Sequence, residues 1–365
     1  MFDDSAKLIS RTRLKGADGL RGFAALWVVL FHIWGAVQRR DTEWVPHVIE
    51  RFFDLGFLGV DIFFVLSGFV ITYSLIGKPI DYYFVPKFIM RRSIRIDPPY
   101  WATIALAIAF LATKNILFSE HQERLPRFEN IVIHVFYLQD LLDYPAISSV
   151  FWTLCLEFQF YILFSISVWV IYRTSFRYID KVPISFIVLS LIIMTASPYL
   201  RFTENSMLIQ GTIVPYLYQF LLGVFSCLYL LGRFKIMELC SLLLVVFSIT
   251  VSLKSIIYAI VPLVTVLILI GSSKQWGCFQ FLVSRFFQLL GKISYSLYLT
   301  HAIVGWASAS VLIRLFDGRF GFIGTIIIFI LSIMVSLVFA YVFFHVIEKK
   351  FIELSKRFGV RSPKK

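Results

Sequence analysis

The sequence predicts an all-α, polytopic integral membrane bundle of about ten transmembrane helices, and three observations carry that reading. Of its 365 residues, 59% are hydrophobic and only 16% charged, with a mean hydropathy of +0.81. A soluble domain is roughly half apolar and about a quarter charged. Apolar residues arrive in repeated blocks near the ~20 residues that cross a bilayer, and Lys and Arg concentrate in alternate connections. This excludes a disordered chain, a nucleic-acid reader and a single soluble core. The net charge of +13 reads as membrane topology, so no nucleic-acid partner is expected.

Ten spans are predicted near 20–37, 57–76, 99–113, 151–172, 182–200, 208–231, 237–253, 255–271, 293–316 and 322–347. The seventh and eighth are separated only by Lys254, as a tight hairpin. Counted by side, 25 of the 35 Lys and Arg fall with the N-terminus and Arg21, the 77–98, 173–181, 232–236 and 272–292 loops, and the tail from Lys349. The positive-inside rule makes that side cytoplasmic, and an even span count returns both termini to it. The expected organisation is a basic cytoplasmic N-terminus (1–19), a transmembrane domain (20–347) and a basic cytoplasmic tail (348–365). The 114–150 stretch is too broken by charge to span. Its IVIHVFYLQDLL portion is amphipathic and reads either as interfacial or as folded into the bundle mouth. The first apolar stretch lacks a small-residue cleavage site and is expected to be retained as a span. Cys155, Cys227, Cys240 and Cys278 are scattered, which suggests small packing residues; no metal and no permanently bound cofactor are expected.

Ionisable residues inside spans are costly and are functional-site hypotheses by default. In GADGLRGFAALWVVLFH, Arg21 and His32 are eleven residues apart. Eleven helical steps return within about 20° of one face and rise about 16 Å. Arg21 would sit near the inner surface, as a snorkelling anchor or a functional cation, and His32 near mid-membrane. In GFLGVDIFFVLSGFVI, Asp61 lies near the outer end of the second span and Ser67 deeper, while Gly56, Gly59 and Gly68 permit close helix contact. Asp61 is expected to pair with a buried cation or polar network. In FIMRRSIRIDPPYW, Arg91, Arg92 and Arg95 precede the third span; Arg92 and Arg95 are helix neighbours suited to bidentate phosphate binding. Topology signalling alone is the other reading. Pro98 and Pro99 are expected to fix the turn into the membrane. In FWTLCLEFQFY, Glu157 faces the same way as Tyr161 and calls for a partner. In GKISYSLYLTH, Ser294, Tyr298 and His301 form a polar strip on an apolar helix, structural or functional.

These five strings, in this order, resemble the acyltransferase 3 family of integral-membrane acyltransferases. The matches run from Asp18 to His32, Leu58 to Phe69, Arg91 to Trp101, Trp152 to Tyr161 (with Thr153 in place of a serine) and Ile293 to His301. The 173–290 stretch matches in hydropathy only. The resemblance implies transfer of an acyl group, commonly acetyl from acetyl-CoA, to a hydroxyl of a sugar, surface glycan or glycolipid. It also implies a functional Arg21 and His32. Many relatives add a secreted-side hydrolase-like domain; with eighteen residues after Ile347, this chain is expected to complete its chemistry within the bundle.

Residues and resemblance together give an expected O-acyltransferase of the bacterial inner membrane. Cytoplasmic acyl-CoA would meet Arg92 and Arg95, with Arg91 and Arg21, and its slender arm would reach His32. That imidazole would act as general base or carry the acyl group itself. Asp61, Ser67, Glu157, Tyr161, Tyr298 and His301 would orient it or bind acceptor hydroxyls from outside. The rival reading is a proton-coupled transporter or flippase for a sugar, lipid or drug, which needs similar buried charge.

Overall fold

A computed structural model of the chain describes residues 2–37, 45–76, 78, 80–117, 123–175, 184–203, 207–253, 256–315 and 321–358, and every regular element among them is helical. In chain order these are α1 (Phe2–Val37), α2 (His47–Asp54), α3 (Gly59–Ser74), α4 (Phe84–Leu117), α5 (Phe128–Val135), α6 (Trp152–Ser175), α7 (Ile184–Thr203), α8 (Met207–Gln210), α9 (Leu217–Leu230), α10 (Ile236–Leu253), α11 (Ile256–Ser273), α12 (Arg285–Leu315), α13 (Phe322–Phe343) and α14 (Lys349–Arg357). Nine segments among the described residues are long and apolar enough to cross a bilayer. The Lys254 hairpin lies outside the described residues.

The sixth expected span, 208–231, is instead the short helix α9. Pro215 lies in a 3-10 turn at its entry, where the missing N–H does no harm. Its other end closes at Gly232, whose φ of +70° lets the Gly232 and Arg233 amides cap the Tyr229 and Leu228 carbonyls. All residues from Leu217 to Leu228 are buried, as expected for a helix apolar on every side.

Pro98 and Pro99 do not make a turn: α4 runs through both. The two prolines take away the helical donors to the Ile94 and Arg95 carbonyls, and the Tyr295 hydroxyl donates to the adjacent Ile96 carbonyl at 2.8 Å. Arg91, Arg92 and Arg95 therefore belong to a membrane-length helix. The 128–142 region folds into the bundle mouth. His134 is fully buried, its Nδ1 2.8 Å from the Asn130 carbonyl, and its Nε2 accepts from the Ile147 amide. Tyr137 stacks between Tyr100 and Phe158 and donates to Asp97. Of the cysteines, Cys155 and Cys227 are buried, whereas Cys240 and Cys278 are exposed.

Two close helix contacts set the positions of the buried polar groups. α1 and α12 run parallel, with Asp18 against Gly291, His32 against His301 and Ile33 against Gly305. A Cβ at Gly291 would overlap the Asp18 carbonyl, so the close approach requires glycine. α3 packs on α9, where Gly68 meets the Phe220 carbonyl and Gly223 meets that of Val65. Gly56 and Gly59 lie against α1, in line with the close contact expected of them. Beyond α13 a π-turn, Phe344–Glu348, leads directly into α14. The helix thus passes the expected boundary at 347.

Candidate active site

α1, α3, α4, α6 and α12 enclose a narrow cavity of about 90 Å³ into which Arg21, Arg92 and Arg95 all project. Helical spacing on α4 brings Arg92 and Arg95 to one face. Arg92 donates to Ser74 Oγ at 3.3 Å and lies over the rings of Phe88 and Tyr161. Among the described residues no carboxylate ion-pairs with any of the three arginines. The cavity's own carboxylate, Glu157, accepts from Ser67 Oγ at 3.0 Å and from the Tyr161 hydroxyl at 2.5 Å. Three cations around an open space with one carboxylate make an anion-attracting chamber.

Further along α12 lies a histidine pair. His301 Nδ1 is 3.0 Å from the Leu297 carbonyl oxygen and 2.8 Å from that of Tyr298, so it bears the hydrogen. Its Nε2 then presents a lone pair, 3.2 Å from Nδ1 of His32. That nitrogen also lies 2.9 Å from the Val28 carbonyl oxygen and must be a donor too. For neutral rings, these partners assign the only lone pair of His32 to Nε2. Backbone carbonyls thus fix one ring, and that ring helps to fix the other. An imidazole held in this way can take a proton, or attack a carbonyl, at a defined atom.

In order along α12 the pair falls between the linings of two chambers, and neither histidine lines either one. Ser294, Tyr295 and Tyr298 of α12 line the arginine cavity, and the Tyr298 hydroxyl bonds to Thr153 at 2.7 Å. One turn on, Ala302, Ile303 and Trp306 line a larger cavity of about 920 Å³. Trp306 donates to the His32 carbonyl at 2.9 Å. This second cavity is closed by the end of α4 and the 123–149 region, including Arg124, Arg127 and Tyr144. A third space of about 460 Å³ opens at the arginine end, among α1, α4, α12 and α14.

The structure gathers Arg21, Ser67, Arg92, Arg95, Glu157, Tyr161 and Tyr298 around one cavity, and joins His32 to His301. Glu157 therefore lines the same cavity as the arginines. Asp61 does not join either group. It pairs with Arg201 of α7 at 2.7 Å, and Gln219 of α9 donates to it as well. Arg201 also donates to the Tyr218 hydroxyl and is flanked by the rings of Phe202, Tyr216 and Tyr258. This is the buried cation expected for Asp61. Arg91 lies outside the cavity, beside Lys78. There burial, and then the guanidinium groups of Arg91 and Arg92, hold the Lys78 ammonium down at about 8.

Sequence reasoning missed Glu348, which is buried and accepts from Ser296 Oγ at 2.5 Å and from its amide. It shares the wall of the third space with Arg21 and Arg95. A carboxylate directly following the last apolar span is the signal that could have found it, although the same position also suits the first residue of a solvated tail.

Comparison with known proteins adds an independent line. A family model described as an acyltransferase domain matches residues 14–345. The chain is similar to O-acetyltransferase OatA of Staphylococcus aureus, 32% identical over 174 residues, which cover 45% of this chain and 26% of that protein. It is also similar to acyltransferase MdmB of Streptomyces mycarofaciens, 32% identical over 179 residues, covering 47% of this chain and 41% of the relative. The matches thus span well under half the length of these curated relatives. No solved structure matches the chain.

Proposed function

The chain belongs to this acyltransferase domain family, and from that premise we propose that it is a membrane O-acyltransferase. The donor is a cytoplasmic acyl-CoA, with acetyl as the acyl group. The acceptor is a hydroxyl of a sugar, surface glycan or glycolipid on the opposite side of a bacterial inner membrane. The name of one relative, an O-acetyltransferase, supports the choice of acyl group and of oxygen as acceptor atom.

The order of sites along α12 carries this reading: an arginine chamber in which no described carboxylate forms an ion pair, then the histidine pair, then a cavity large enough for a sugar-sized acceptor. The arginines draw in the anionic donor, and the narrow chamber admits only its slender acyl-bearing arm. The acceptor hydroxyl gives its proton to His32 Nε2 as its oxygen attacks the thioester carbon. The C–S bond then breaks, and the thiolate takes up the proton. In the alternative route Nε2 first accepts the acyl group and the hydroxyl attacks the acyl-imidazole. In either route, His301 steadies the charge on His32 by accepting from Nδ1–H.

The test uses sealed, oriented proteoliposomes with labelled acetyl-CoA on the arginine side only. The wild type should deliver acetyl groups to an acceptor on the other side, while His32→Ala, inserted to the same level, should deliver none. Product confined to the CoA side would refute transmembrane transfer. Undiminished product from His32→Ala would refute the His32 mechanism.

A further inference from the structure

The third space has no role in this chemistry, yet it is joined to the site. Arg21, Arg95 and Ser294 line both it and the arginine cavity, so these three side chains form the partition between the two. The narrow cavity, at about 90 Å³, is far too small for a nucleotide. The outer space, at about 460 Å³, is within the range of small-ligand sites.

Charge points the same way. Lys292 of α12 and Lys349 and Lys356 of α14 join Arg21 and Arg95 around this space, against Asp18, Glu348 and Glu353. One of those carboxylates, Glu348, is already engaged by Ser296. The three lysines are exposed, and Lys292 is held over the Phe344 ring. The π-turn at Phe344–Glu348 sets the direction in which α14 leaves the bundle, and so where its lysines fall.

Length fits as well. From Gly291, on the wall of this space, to His301 is ten residues of α12, about 15 Å. The pantetheine arm of a coenzyme A thioester has a backbone about as long as four extended residues, ~14 Å.

We propose that this vestibule is the nucleotide subsite of the donor. The adenosine and its 3′-phosphate lie against Lys292, Lys349 and Lys356, and the diphosphate sits at the Arg21–Arg95 partition. Only the pantetheine arm passes into the narrow cavity. The inference rests on acyl-CoA being the donor, and it assigns to α14 a binding role that the arginine motif alone does not provide.

The experiment compares the wild type with the triple variant Lys292→Gln, Lys349→Gln, Lys356→Gln in detergent. All three positions are exposed, so melting temperatures should agree. Two donors are used: acetyl-CoA, and S-acetyl-pantetheine, which lacks the nucleotide. The apparent KM for acetyl-CoA should rise about tenfold in the variant, with kcat and the KM for S-acetyl-pantetheine unchanged. Adenosine 3′,5′-bisphosphate should inhibit the wild type competitively and the variant about tenfold more weakly. If the wild type consumes acetyl-CoA but the variant's KM and inhibition are unaltered, the vestibule is not the subsite, although the donor assignment survives. If the wild type neither consumes acetyl-CoA nor responds to the bisphosphate, the donor reading falls and takes this inference with it.

Discussion

The bundle buries two groups of charge that look alike in sequence and differ in kind. Around Asp61, every charge is matched: Arg201 pairs with it, Gln219 and Tyr218 complete the network, and three aromatic rings enclose the guanidinium. Around Arg21, Arg92 and Arg95 no described carboxylate forms an ion pair, and there is open space. A closed ion pair ties α3, α7 and α9 together and leaves no charge for a ligand to satisfy. An open group is costly in the empty protein and is relieved by an anion. Burial alone, then, does not mark a site; burial with unmet charge does.

The largest effect should come from breaking the closed group. Arg201→Met leaves the Asp61 carboxylate buried and alone, a loss of about 3–5 kcal/mol, read as a fall in detergent melting temperature and in folded yield. Asp61→Leu combined with Arg201→Met should recover most of that loss, because a buried pair replaced by apolar groups is often nearly neutral. A double variant with near wild-type stability and near wild-type kcat would make this network purely structural. A stable but inactive double variant would bring Asp61 back into the site.

Much of this is legible in the sequence, and the failures share a cause. Hydropathy finds apolar length, so nine spans among the described residues can be seen, but it has no term for the Pro215 turn and the Gly232 cap that shorten the 208–231 segment. Arg201 reads as a loop charge because it closes α7, and only tertiary packing turns it toward Asp61. Glu348 reads as tail because a π-turn, invisible to a 3.6-residue period, carries the helix past it. Pro98 and Pro99 read as a turn because local rules count the two lost N–H donors, whereas α4 runs on through both. By contrast, Arg21 with His32, and Arg92 with Arg95, can be found because both members of each pair share one helix, where spacing fixes the face. The His32–His301 contact spans α1 and α12 and is visible only once these are packed.

The open group should respond to shape rather than to loss of fold. Arg95→Lys keeps the charge and loses the planar fork, so melting should be unchanged while the KM for acyl-CoA rises about tenfold, ~1.4 kcal/mol. Arg92→Lys should have a smaller effect, because its guanidinium is already engaged with Ser74 and two rings, whereas Arg95 faces both the chamber and the vestibule. Equal wild-type KM values for both variants would reduce these arginines to topology signals.

The smallest expected effect lies at the rim of the open group, and it tests whether unmet positive charge is what attracts the donor. Lys78 lies in the connection between α3 and α4, its backbone amide bonded to the Leu75 carbonyl. Burial first, then repulsion from Arg91 and Arg92, brings its ammonium down from 10.5 to about 8. It is therefore cationic below about pH 8 and loses that charge on the way to pH 9. Because kcat/KM reports groups of the free enzyme, kcat/KM for acyl-CoA should fall two- to threefold across that interval, roughly the contribution of one partly exposed cation. Stability should move in the opposite direction. Between about 8 and 10.5 the unfolded chain holds more protons at this position than the folded one, so rising pH favours the fold. A drop in kcat/KM with no drop in melting temperature would thus separate lost charge from unfolding. Lys78→Arg should keep the high value to pH 9, and Lys78→Met should show the low value already at pH 7. If wild type, Lys78→Arg and Lys78→Met share one profile, the rim contributes nothing, and donor attraction is confined to the arginine chamber and the vestibule.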